Sequence, residues 1–200
     1  MIGYAPHKIK PVNVVEQAQL GFLGQLFVIY ATSVGIATCW MGHHSQKVAN
    51  KIVYGREDDR EPDCILCTTP MGYVPEKKGF MNSLTEKMWG KKQAVEEKLT
   101  PDSLKSFPEP IMKGLQAACQ APSAMNSQCW QFTVTQEGDR YKVTINKKPG
   151  WMHFKWHYVN IDAGTSAANF WIALRAQNLT PIVTLRDDGE TAYWDFTIAI

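Results

Sequence analysis

The sequence predicts an α+β fold, with central helices packed on small antiparallel sheets and two halves related by a pseudo-two-fold axis. Three observations carry this reading. Long apolar segments with helical spacing stand near both ends of the chain, short β-type runs lie between them, and the two helical segments align at an offset of 143 residues. At 200 residues the chain suits one domain with a real core, or two small intertwined halves. We expect one domain over 1–200, with 1–100 an incomplete first half and 101–200 the second.

The elements follow in order. "VNVVEQAQLGFLGQLFVIYATSVG" reads as a long helix, opened by Asn13 with Glu16 three residues on, as in a capping box. Leu20, Leu23, Phe27, Tyr30 and Val34 keep helical spacing, and Leu26, Val28 and Ile29 widen the apolar face, so this helix is expected to be buried on most sides. Gly35 sits where a left-handed stop belongs. Residues 63–69 look like a core strand, ended by "PMGY". Residues 75–105, rich in Lys, Glu and Gly, read as an exposed excursion with a short helix. "PEPIMKGLQAACQ" is a second helix, with Ile111, Leu115 and Ala118 on one side. "QFTVTQEGDRYKVTINK" alternates around Glu137-Gly138-Asp139 and predicts a hairpin. A third helix runs from about Ala163 to Gln177, where Asn178 and Pro181 end it.

Placing Gly21 over Gly164 sets "GFLGQLFVIYATSVGI" over "GTSAANFWIALRAQNL". Phe27 falls on Phe170, Ile29 on Ile172, and Gly35 on Asn178, the other residue that tolerates the left-handed region. Two ordinary core helices could match this well. A true repeat makes them equivalent elements of a two-fold body. It also puts a first copy of "APSAMNSQ" before Met1, so the chain is expected to start partway through its first half.

Composition narrows the function. Hydrophobic residues are 44% and charged residues 20%, as in a globular protein. A formal net charge of +2 calls for neither nucleic acid nor an anionic membrane. No apolar run is expected to reach a membrane span, and "MIGYAPHKIK" lacks the apolar core of a secretory signal. Five scattered cysteines read as reduced thiols in a cytoplasmic protein. Cys64 and Cys67 have no second ligand pair at matching spacing, so they read as ordinary buried thiols and no metal site is expected.

"APSAMNSQCW" (121–130) concentrates hydrogen-bonding side chains beside Met125 and Trp130 at the end of an apolar helix. Such a stretch suits either a capped turn or one wall of a site for a flat polar ligand. Three further blocks stand with it. They are "GIATCWMG" (35–42), "IDAGTSAANFWIAL" (161–174) and "MGYVPEKK" (71–78). Together the four blocks resemble the nitroreductase family of FMN flavoproteins. There the corresponding motifs are A-P-S-x-x-N-x-Q-P-W, G-L-G-T-C-W-x-G, D-x-G-x-A-x-x-N-L and the loop after the core strand. Cys129 replaces the usual Pro and Ala37 a Gly. The Ser-Asn-Gln block follows the T-C-W turn instead of preceding it, which is similar to the branch with two halves fused in one chain, the TM nitroreductase type.

The resemblance implies an FMN site between two walls. Pro122, Ser123, Met125, Asn126 and Gln128 would meet the ring edge, the ribityl hydroxyls or the ring carbons. Thr38, Cys39, Trp40, Met41 and Gly42 would lie by the isoalloxazine, with backbone N–H groups near its redox-active nitrogen. It implies no catalytic side chain, because flavin N5 carries the chemistry. NADH or NADPH would be the reductant, a small molecule the electron acceptor, and a homodimer is possible. The family's Arg-rich R-R-S-x-R segment is absent from residues 1–200, which leaves Lys77 and Lys78 as phosphate candidates. Losing a charged phosphate contact costs about 1.5–3 kcal/mol, roughly one or two decades in affinity. His43, His44, His153 and His157 read as surface or rim residues, and the aromatic run "GWMHFKWHY" could line a substrate pocket.

Overall fold

Asn13 opens the first helix as its place before the apolar run predicts. Its Oδ1 accepts the Val15 N–H at 2.8 Å, satisfying one of the donors that every helix start leaves free. The structure, a computed structural model, describes residues 2–4, 13–55, 65–73, 90–150 and 158–200. Its elements are β1 (Ile2–Tyr4), α1 (Val14–Ser33), β2 (Ala37–Thr38), α2 (Gln46–Tyr54), β3 (Ile65–Thr68) and β4 (Met71–Gly72). Then come α3 (Glu109–Cys119), β5 (Trp130–Glu137), β6 (Arg140–Lys147), α4 (Val159–Ala176), β7 (Ile182–Asp187) and β8 (Ala192–Ala199).

Helices α1 and α4 cross at the two glycines that the 143-residue offset equates. A Cβ on Gly21 would lie 2.0 Å from the Ile161 carbonyl oxygen, and one on Gly164 would lie 2.2 Å from that of Ala18. Each glycine thus meets the residue three places before the other. Both helices stop on a residue with positive φ, Gly35 at 81° and Asn178 at 62°.

This crossing corrects the expectation that α1 is buried on most sides. With the helix backbones so close, only small side chains fit between them. The buried residues of α1 are Gln17, Ala18, Gly21, Gly24, Gln25 and Ala31. Leu23, Tyr30 and Val34 are instead more than half exposed. The expectation about membrane-span length is corrected too. By length and composition alone the 20-residue α1 is long and apolar enough to cross a bilayer, with a mean hydropathy of 1.2 in its 18-residue window, although 33% of that window is buried in the fold.

The main core lies between α4, α3 and a four-stranded antiparallel sheet of order β5-β6-β8-β7. Ile111, Leu115 and Ala118 of α3 are fully buried, as their spacing predicts, with Phe132, Phe170 and Phe196. The predicted hairpin closes through Gly138 and Asp139, flanked by the Glu137–Arg140 pair. Gly138 takes φ 63° there. The β7–β8 hairpin, not anticipated from sequence, completes the sheet. Two small antiparallel pairs, β1–β3 and β2–β4, serve the first part of the chain.

The excursion predicted over 75–105 is corrected in part. Residues 74–89 lie outside the described residues. Residues 90–105 run as turns and extended chain against the core, where Leu99 bridges to Phe132 and Lys98 is buried. Of the cysteines, Cys67, Cys119 and Cys129 are buried and Cys39 is exposed. Cys64 lies outside the described residues.

Candidate functional site

The 121–130 stretch leaves α3 as a short 3₁₀ turn over Ala124–Asn126. Met125, Asn126 and Gln128 all take positive φ, at 54°, 52° and 47°. Asn tolerates this region; Met and Gln do so only when their surroundings hold them.

Those surroundings come from three directions. From α4, Thr165 Oγ1 donates to the Pro122 carbonyl at 2.8 Å, and Asp162 Oδ2 accepts the Ala124 N–H at 3.2 Å. Within the loop, Ser123 Oγ accepts the Gln128 N–H at 2.9 Å. From the 91–98 segment, Lys92 Nζ donates to the Ala121 carbonyl at 2.7 Å and to Asn126 Oδ1 at 3.2 Å. Gln128 Oε1 accepts the Gln93 N–H at 2.8 Å. The side-chain amides of Asn126 and Gln128 both donate to the Lys91 carbonyl, at 2.9 and 3.1 Å. Lys98, 1% exposed, donates to the Gln128 carbonyl and stands 5.6 Å from the centroid of the Trp130 ring.

Burial sets the electrostatics. It pushes the Asp162 carboxyl up to about 7, against the lowering effect of the Ala124 N–H. It lowers the Lys98 ammonium to about 8, helped by the charge of Lys148. It raises the Cys119 thiol to about 11 and the Cys129 thiol well above its ordinary range. Neither thiol is poised as a nucleophile.

The T-C-W turn is built differently. Thr38 pairs with Met71 across β2 and β4. The Met41 N–H donates to the Thr68 carbonyl at 2.9 Å, and the Met41 carbonyl accepts the Thr68 N–H at 2.8 Å. Cys39, Met41 and Gly42 are exposed. Trp40 turns inward, and its Nε1 donates to Gln25 Oε1 at 3.1 Å.

A relay then joins the two motifs. Gln25 Nε2 donates to Asn169 Oδ1 at 3.0 Å, and Asn169 Nδ2 donates to the Ala117 carbonyl of α3 at 3.0 Å. The turn at 38–42 and the loop at 122–128 are therefore tied through α1, α4 and α3. Each group of sequence-predicted residues gathers in its own loop on this scaffold. Lys77 and Lys78 lie outside the described residues, as do His153, His157 and the aromatic run around them. Among the described residues no cluster of His, Cys, Asp and Glu could hold a metal ion.

Sequence reasoning missed Gln25, Lys92, Lys98, Asp162, Thr165 and Asn169. Asp162, Thr165 and Asn169 stand inside the quoted "IDAGTSAANFWIAL" block, so a signal for them existed. Lys92 and Lys98 sit in a run of alternating charge, where nothing separates a buried lysine from a solvated one.

Residues 9–174 match the family described as "Putative TM nitroreductase". The chain belongs to this nitroreductase family. Its fold is similar to the crystal structure of a protein from Thermotoga maritima titled a putative nitroreductase, with TM-score 0.60 and 21% identity, covering 96% of this chain and 67% of that one. The chain thus spans about two thirds of that protein's length. No curated protein matches it. Family membership makes an oxidoreductase of the nitroreductase type the coarse assignment.

Proposed function

We propose that the chain is an FMN-dependent NAD(P)H oxidoreductase, reducing nitroaromatics, quinones or similar small acceptors in a ping-pong cycle. The observation that carries this is the Trp40–Gln25–Asn169–Ala117 relay, which ties the two flavin-type motifs to one rigid helix scaffold.

The residues present fit the flavin's ring and edge. The 122–128 loop offers the Pro122 ring, the Ser123 hydroxyl and Met125, which is 54% exposed. A flat ring with apolar faces and a polar edge calls for that mixture. Asn126 and Gln128 have their amides engaged by the 91–93 segment. In this reading they hold the loop in shape, and Ser123 keeps a hydroxyl proton to donate. On the other wall Thr38, Cys39, Met41 and Gly42 would line the approach, and Trp40, bonded to Gln25, would fix the turn from within. The Met41 N–H is already bonded to Thr68, so a backbone donor would come from elsewhere in the turn. Lys77 and Lys78 remain our assignment for the phosphate. Bound FMN would supply hydride transfer through N5; the chain would supply position and fixed dipoles.

The test is direct. The purified protein is incubated with FMN and separated from free flavin. NADH or NADPH is then added without oxygen, followed by a nitroaromatic or a quinone. Retained flavin absorbance that bleaches and returns supports the proposal. A yellow protein that never bleaches points to a flavin-sequestering role, and a colourless one that takes up no FMN removes both.

A further inference from the structure

A buried carboxyl stands behind the loop that the flavin reading places at the ring edge. Asp162 is 5% exposed, and its Oδ2 accepts the Ala124 N–H at 3.2 Å. Ala124 follows Ser123, whose hydroxyl is offered to the ring. One peptide unit therefore separates the residue that Asp162 holds from the residue that meets the ligand. Thr165, on the next turn of α4, grips the same stretch through the Pro122 carbonyl. The two bonds keep the carboxyl in a fixed place relative to the loop.

No cation neutralises it. Among the described residues no lysine, arginine or histidine pairs with Asp162, and the Ala124 N–H is its one stabilising contact. From β5 the Cys129 thiol faces it, kept protonated by burial and then by the Asp162 charge. Lys98 of the 91–98 segment and Lys147 of β6 act on that thiol but not on the carboxyl. Helix α1, which crosses α4 at Gly164, carries no charged side chain after Glu16. At the start of α4, Asn160 meets only the backbone of Glu190, an exposed residue. A carboxyl so placed sits at about 7, because burial disfavours its charge. A modest change of charge nearby then decides whether it holds a proton.

We propose that Asp162 is the proton acceptor linked to reduction of the site, taking up a proton from solvent when hydride arrives and releasing it when hydride leaves. This role rests on the flavin reading of the loop. Hydride brings two electrons and one proton from the reduced nicotinamide, and so adds one net negative charge beside the 122–128 loop. The Asp162 carboxylate gains one proton from water, its O–H bond forms, and the charge of the region returns to its starting value. When the hydride passes to a quinone, the Asp162 O–H bond breaks. The proton released matches the second hydrogen that the quinol needs. The coupling is strong because like charges across a dry interior repel far more than in water.

The experiment loads the 200-residue protein and its Asp162→Asn variant with FMN. Midpoint potentials are then measured against redox dyes from about pH 7 to about pH 8.5, where the oxidised protein holds Asp162 mostly ionised. Asn keeps an acceptor for the Ala124 N–H but takes up no proton. The parent's potential should therefore fall more steeply, by about 30 mV per pH unit, which is one extra proton per two electrons. A second readout needs no variant. The reduced-minus-oxidised infrared spectrum of the parent should gain a protonated-carboxyl C=O band that shifts in heavy water. Equal slopes with flavin retained, or no gained carboxyl band, overturn the role of Asp162 and leave the flavin reading standing. A protein that takes up no FMN overturns both.

Discussion

A single hydrogen-for-methyl exchange is the sharpest probe of the central crossing. At Gly164 an added methyl meets the Ala18 carbonyl oxygen 2.2 Å away, and backbone in a helix cannot yield. We expect Gly164→Ala to cost about 3 kcal/mol in urea unfolding, the upper end for overpacking. At Gly114 the obstacle is the edge of the Phe170 ring, a side chain that can move. Ala also gains helix propensity there, so Gly114→Ala should stay within about 1 kcal/mol of the parent. Asp162 gives a second residue-scale test, through pH. Its carboxyl is raised by burial from the ordinary 3.8 to about 7. In that window the unfolded chain has released the proton and the folded chain keeps it. Stability therefore falls as pH rises from about 4 to about 7. Asp162→Asn keeps an acceptor for the Ala124 N–H and removes the charge. Urea midpoints across this range should flatten, and the variant should be the more stable protein at pH 8.

At the scale of elements, the unusual feature is a loop held by its neighbours. Three residues with positive φ in a four-residue span form no stable turn on their own. The 91–98 segment supplies the restraint, with Lys98 at its buried end. Lys98→Met should destabilise by about 1–3 kcal/mol, because the Gln128 carbonyl would be left without its donor. Amide exchange at residues 123–128 should quicken more than exchange in β5 or β6. The lysine has a pH signature of the opposite sign to Asp162. Its ammonium is lowered to about 8 from the ordinary 10.5. The unfolded chain thus holds more protons between those values, and this group makes stability rise with pH there. Comparing Lys98→Met with the parent over that range isolates the effect.

For the whole molecule, the Gln25 relay is the link between the two motifs. Gln25→Leu strips the Trp40 indole of its acceptor and Asn169 of a donor, both in partly buried surroundings. We expect a loss of roughly 2 kcal/mol in stability. On the flavin reading, FMN affinity measured by fluorescence titration should also fall about tenfold. A variant that unfolds more easily yet binds FMN unchanged would separate the scaffold from the site.

In the second half α3, the β5–β6 hairpin and α4 were legible because each carries its own signal, whereas the β7–β8 hairpin was not anticipated. The hairpin has period-two alternation around Gly138, and α3 has Ile111, Leu115 and Ala118 on one side. The four motif blocks were legible as a family likeness, and the family match agrees with that reading. The face of α1 was not legible. Helical spacing says which residues share a face, but not which face meets another helix, and here two glycines decided it. The restraint from Lys92 and Lys98 was hidden as well, since burial of a lysine depends on what packs over it. By itself the sequence determined α1, α3 and α4, the glycine and asparagine stops of α1 and α4, and the motifs, because these follow from local pattern; α2 was not foreseen. Only the tertiary structure decided which α1 face is buried, what holds the 122–128 loop, and how Trp40 is joined to α3. Those depend on contacts between residues more than a hundred positions apart, or across a loop whose composition is mute.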